Sequence, residues 1–296
     1  MRRDAAALGP PTAAVLWGGM YVVSKWGFGA IPPVTLAFLR VLLGGATLYA
    51  VVSIVSPERD FSTSERRRFA GLGVLVALTL VTQFVGTDLT NASQGSLLTV
   101  LTPVFTLLLG ATVLGESLTA RKVGGMALAA VGTLVVAAGS YDLSSLGAGN
   151  ALGLASLLVA GAAWAAFTVY GAPLVRRYSA LEAATYGTLL SVPILGVLAA
   201  VELWTLGISP LALPTSLPVL GAVAYLGVAS TAAAWYCWYA GVERYEAGTV
   251  AGFFFFQPVV GAALGALFLG ESLGPLFLVG GGVIAVGVYL SSVARE

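Results

Sequence analysis

Two ionisable residues, Lys25 and Arg40, stand inside long apolar runs. A charge at bilayer depth costs about 2.5–3.5 kcal/mol on insertion scales, so one that is retained is a candidate for function. Two readings stand for each. Either the side chain snorkels to the outer interface or pairs with Asp88, or it attracts a substrate carboxylate. Gln83 is an amide in an apolar run, and an amide in lipid must find a partner, which points it to the interior. Gly95, Thr99, Thr102 and Thr106 step by four, three and four, which places them on one helical stripe. The threonines either line a cavity or bond back to their own helix. Aromatics supply the remaining chemistry: Trp17, Tyr21, Trp164, Trp235, Trp238 and Tyr239. Thr79, Thr168 and Gln257 complete the candidate binding set, which takes Lys25 of the two cations and Thr99 of the stripe. Such a set suits a small amphipathic solute with a ring or an apolar side chain.

Other chemistries lack their parts. The chain has no histidine and one cysteine, Cys237, so the usual metal ligand, the usual proton switch and an internal disulfide are missing. No Gly-rich phosphate loop with its lysine occurs. The carboxylates fall at the ends of apolar runs: Asp88, Asp142, Glu202 and Glu271 at one boundary, Glu116, Glu182, Glu243 and Glu246 at the other. An enzyme, a metal site and a cofactor are therefore not expected. A proton-coupled step has no obvious buried group to use, although Glu271 or Asp88 could supply one.

These residues are carried by an unusually apolar chain. Of 296 residues, 58% are hydrophobic and 9% are charged, against roughly 25% charged in a soluble domain. Mean hydropathy is +0.95. Lipid is the expected solvent, and net charge +1 offers no footprint for nucleic acid. The first apolar run holds Trp17, Tyr21 and Lys25 and is followed by more spans, so it is read as a membrane helix and not as a signal peptide.

Crossing a hydrocarbon core of about 30 Å takes roughly 20 apolar residues. Ten stretches qualify: 11–30, 34–55, 69–88, 92–114, 122–140, 150–171, 179–203, 217–241, 247–269 and 275–293. With both termini inside, every Lys and Arg outside the spans falls on the inner side, which the positive-inside rule favours. The expected fold is all-α integral membrane, with ten transmembrane helices.

The sequence also repeats. Residues 103–118 and 258–273 are identical at ten of sixteen positions, at an offset of 155. Gly125 and Gly132 continue the match with Gly280 and Gly287. Earlier in each half, Trp17 and Val22 match Trp164 and Val169 at an offset of 147. Two halves of five spans, residues 1–147 and 148–296, follow. Five is odd, so the second half enters the membrane inverted, an arrangement typical of transporters with a site at the repeat interface.

Trp17-Gly18 and Trp164-Ala165, together with P-x6-G-x3-L-G-E at 103–116 and 258–271, resemble the EamA-type branch of the drug/metabolite transporter superfamily. The aromatic-rich helices are similar to those of its aromatic amino-acid exporters. The resemblance implies two inverted five-helix repeats around a central cavity walled mainly by the first, third, fourth, sixth, eighth and ninth helices. It implies export of amino acids or related metabolites across a bacterial inner membrane. The expected partners are a small-molecule substrate and the lipid bilayer, with no nucleic acid and no obligate protein. Facilitated diffusion by alternating access is the expected mechanism, and a proton-coupled efflux antiporter is the alternative. The resemblance gives Glu116 and Glu271 a structural role.

Overall fold

A computed structural model describes residues 2–56, 59–90, 101–140, 151–269 and 274–292. The described residues are helical with no strand. Helix α1 (Arg2–Gly18) continues through Gly19, itself in the helical region, into α2 (Met20–Gly27). Pro32 and Pro33 then turn the chain into α3 (Pro33–Val55). Pro33 sits where its missing N–H has no helical partner to lose. Helix α4 (Thr63–Leu89) opens on a capping box in which Ser62 and Glu65 satisfy each other's backbone N–H. Helices α5 (Leu101–Leu114), α6 (Ala120–Ser140) and α7 (Ala151–Arg177) follow. Helix α8 (Ala180–Leu206) starts on Ser179 and ends on Gly207, whose φ of 65° is the left-handed stop that favours glycine.

Beyond it, α9 (Leu217–Ala224), a π segment (Tyr225–Ala233) and α10 (Ala234–Val242) form one run. A 3₁₀ stretch, Gly252–Phe255, likewise joins α11 (Ala247–Ala251) to α12 (Phe256–Leu269), and α13 (Pro275–Ser292) closes the chain.

Each expected span is thus helical where described. Among the described residues, α3, α4, α7, α8 and the Leu217–Val242 run are long and apolar enough to cross a membrane. Several helices overrun the sequence estimate. Helix α4 begins six residues before 69 because its capping box secures a polar turn that hydropathy leaves out.

Polarity is distributed as lipid demands. Ile54, Val197 and Leu278 point outward, while Thr133, Thr188, Ser191 and Thr231 are buried. The interior hydroxyls of Thr106, Thr133 and Thr188 donate to the carbonyls of Thr102, Ala129 and Ala184 four residues back, so burial leaves them satisfied.

Small residues set the closest contacts. A Cβ on Gly125 would lie 2.7 Å from the Gly287 carbonyl oxygen, and one on Gly280 would lie 2.7 Å from that of Gly132. Backbones meet there with no room for a side chain. Gly125 and Gly132 pair in sequence with Gly280 and Gly287, yet in space each touches the other's mate.

Carboxylates tie the helix ends together across the fold. Glu116 accepts from the backbone N–H of Ala247 (2.6 Å) and Gly248 (3.0 Å), capping α11. Glu202 accepts from Val34 N and Thr35 N at the start of α3, and Glu243 from Ala180 N at the start of α8. A carboxylate at a helix N-terminus meets orphan donors and the positive end of the dipole. Lys122, buried beside Glu116 (3.6 Å) and Glu246 (2.7 Å), closes the α5–α6 turn onto α11.

Candidate functional site

The site begins with a fault in a helix. In the π segment, Thr231 donates its hydroxyl to the carbonyl of Leu226, five residues back (2.8 Å), and the Ser230 carbonyl turns inward. π turns inside helices recur at functional sites for this reason. Trp17 Nε1 donates to the Ser230 oxygen (2.8 Å), and Arg40 Nη2 donates to the same atom (3.1 Å).

Arg40 is fully buried. Its Nε donates to Thr231 Oγ1 (2.7 Å) and its Nη1 meets only Met20 Sδ (2.9 Å). The rings of Phe84 and Trp235 lie 5.7 and 6.0 Å from the guanidinium carbon. Every partner of this cation is neutral. Among the described residues no carboxylate pairs with it.

An aromatic box adjoins the guanidinium through Trp235. Trp17 and Trp164, mates in the sequence repeat, touch edge to face with centroids 5.3 Å apart. Trp17 stacks on Phe254 at 5.4 Å and 21°. Trp164 leans on Trp235 at 5.3 Å. Such pairs each contribute roughly 0.5–1.5 kcal/mol beyond area burial, so the box is a rigid frame.

Within it is a cavity of about 40 Å³. That holds a few waters, whereas ligand sites commonly span 300–1,000 Å³. At this volume the cavity is too small for an amino acid. Of the residues expected from sequence, Trp17, Tyr21, Thr79, Gln83, Trp164, Trp235 and Gln257 line the cavity. Gln83 Nε2 donates to the Tyr21 hydroxyl (3.0 Å), the interior partner its depth requires.

Four others lie elsewhere. Trp238 stands behind the box, packed on Phe254 at 4.7 Å, and donates Nε1 to Thr168 Oγ1 (3.1 Å). The Tyr239 hydroxyl donates to the Phe167 carbonyl (3.0 Å). Lys25 reaches the C-terminus of α4, donating to the carbonyls of Thr87, Asp88 and Thr90 at 2.8–3.2 Å, with the Asp88 carboxylate 3.8 Å away. Thr99, like Gly95, Asp142 and Glu271, lies outside the described residues.

Arg40, Met20, Thr102 and Phe254 also line the cavity. A depth count separates the two cations. Arg40 is the eighth residue of its helix, about 12 Å in at 1.5 Å per residue, while Lys25 is third from the end of α2. The polar lining is rich in donors. Trp164 Nε1, Gln257 Nε2 and Thr79 Oγ1 are buried with no hydrogen-bond partner.

The model of the EamA-like transporter family matches residues 8–138 and again 151–293. The chain belongs to this family. It is a multi-pass membrane transporter and not an enzyme. It is 28% identical to a probable amino-acid metabolite efflux pump of Salmonella typhimurium, over 94% of this chain and 91% of that one. A probable terminal-alkyne amino-acid exporter of Streptantibioticus cattleyicolor is 31% identical over 67% of this chain and 63% of its own. A solved crystal structure superposes over 99% of both chains with a TM-score of 0.76 at 20% identity, a likeness of fold alone. Within this EamA-like fold, the six helices expected to wall the cavity do so, and the second adds Arg40.

Proposed function

We propose that the protein exports amino acids or related small metabolites across the bacterial inner membrane through the Trp17–Trp164 cavity. The supporting observation is a small cavity between the two halves of the chain, lined by repeat mates: Trp17 with Trp164, and Thr102 with Gln257. Two inverted halves, residues 1–147 and 148–296, rock about this point and open it to one side at a time. Both termini lie in the cytoplasm, as the basic residues outside the spans favour. The names of the Salmonella and Streptantibioticus relatives support the substrate class.

Transport is facilitated diffusion. The carboxylates of Glu65, Glu116, Glu202 and Glu243 accept from backbone N–H groups at helix starts, that of Glu182 accepts from Arg59 and the Ser179 hydroxyl, and among the described residues no Asp, Glu or His lines the cavity. A proton cycle needs a group that gains and loses a proton between states. The test is uptake of labelled threonine, methionine, phenylalanine, tryptophan and glutamate into liposomes holding the purified protein, with and without an imposed pH gradient. Saturable flux without a gradient is expected. Flux that requires the gradient would identify the antiporter instead, and no flux of any amino acid would sink the substrate class.

A further inference from the structure

The cavity has a charge preference that the transport reading does not specify. Among the described residues its one ionised lining group is Arg40, held by neutral partners, with Nη1 meeting nothing better than a sulfur. The same cavity is lined by two residues whose nitrogen donors have no partner among the described residues, the Trp164 indole N–H, which can only donate, and Gln257 Nε2. Both side chains are more than nine-tenths buried and line the cavity. A buried donor without a partner keeps its desolvation cost uncompensated, and the cost disappears when a ligand brings an acceptor. Hydrogen bonds from a guanidinium to a carboxylate are about twice as strong as neutral ones and can be bidentate. Among the described residues no lining side chain offers an anion to an ammonium group.

We infer that Arg40, Trp164 and Gln257 form an acceptor-recognition site that requires a carboxylate on the substrate and does not require an α-ammonium. The substrate class is an apolar or aromatic carboxylate, and an amino acid whose nitrogen is acylated or missing fits at least as well as the free zwitterion. Binding pairs the buried cation and satisfies both orphan donors at once, while the aromatic box holds the apolar body. This deepens the transport reading and rests on it.

The test is a competition panel on the wild-type protein in liposomes: phenylalanine, N-acetylphenylalanine, phenylalaninamide and phenethylamine against labelled phenylalanine uptake. Quenching of intrinsic tryptophan fluorescence in detergent reads binding independently, because Trp17, Trp164 and Trp235 line the cavity. The two acids are expected to compete and quench, and the amide and the amine to do so at least about tenfold more weakly, the scale of one charge-assisted hydrogen bond. Arg40→Gln should erase the difference between acid and amide, and Arg40→Lys should keep part of it. Equal competition by acid and amide in the wild type would overturn the assignment while leaving amino-acid transport standing. Saturable uptake with loss of competition on N-acetylation would overturn the claim that the ammonium is dispensable. Absence of saturable uptake together with absence of quenching by all four compounds would count against the transport reading itself.

Discussion

Lys25 and Arg40 have the same charge and opposite surroundings. Lys25 donates to carbonyls at the C-terminal end of α4, where a cation complements the helix dipole. Replacing it with methionine should lower stability by about 0.3–1 kcal/mol, read as a lower melting temperature in detergent, and leave substrate affinity as it was. A changed affinity with unchanged melting would move Lys25 into the site. Trp164 has the opposite profile. Trp164→Ala removes a cavity wall and an orphan donor together, so flux should fall about tenfold or more while the protein still folds. Flux equal to wild type in that variant would remove Trp164 from the path. Residue types alone marked both cations as notable, and helix depth would have ranked them. What no residue type conveys is the company Arg40 keeps, because Ser230 and Thr231 are about 190 positions away in the sequence.

Elements were legible to the extent that hydropathy determines them. The apolar runs gave ten spans because a lipid solvent leaves few other signals. The π segment was not legible. Residues 225–233 read YLGVASTAA, with no proline to announce a break, and the extra turn shows only in bonds such as Thr231 to Leu226. The cross-fold caps were equally hidden, since Glu116 and its α11 donors are 131 and 132 residues apart. The glycine matches, in contrast, were visible at 125, 132, 280 and 287, and their contact gives them a physical reason. Gly280→Val forces α6 and α13 apart and should cost about 1–3 kcal/mol as overpacking. Gly282→Ala, on the same helix with nothing within 4 Å, is the control and should melt like wild type. Equal melting of the two variants would show that the close approach is not what holds α6 to α13.

The whole molecule is a frame whose helix ends are tied by carboxylates around a small, donor-rich aromatic cavity. Two consequences belong at this scale. Because the described cavity lining holds no Asp, Glu, His or Cys, exchange with equal pH on both sides should be flat between about pH 5.5 and 8. A steep step in that range would reveal a titrating group in the transport cycle. Because about 40 Å³ cannot hold an amino acid, the helices must part to admit one, and a side chain filling the cavity must block transport. Gly161 and Ala160 line the cavity from α7, and a Cβ on Gly161 would already lie 3.0 Å from Thr102 Oγ1. The most direct measurement is therefore amino-acid exchange in liposomes by Gly161→Leu and Ala160→Phe, each checked for wild-type-like melting. Both should lose exchange by about tenfold or more if the substrate passes through this cavity. Full exchange in folded protein carrying either plug would contradict the account.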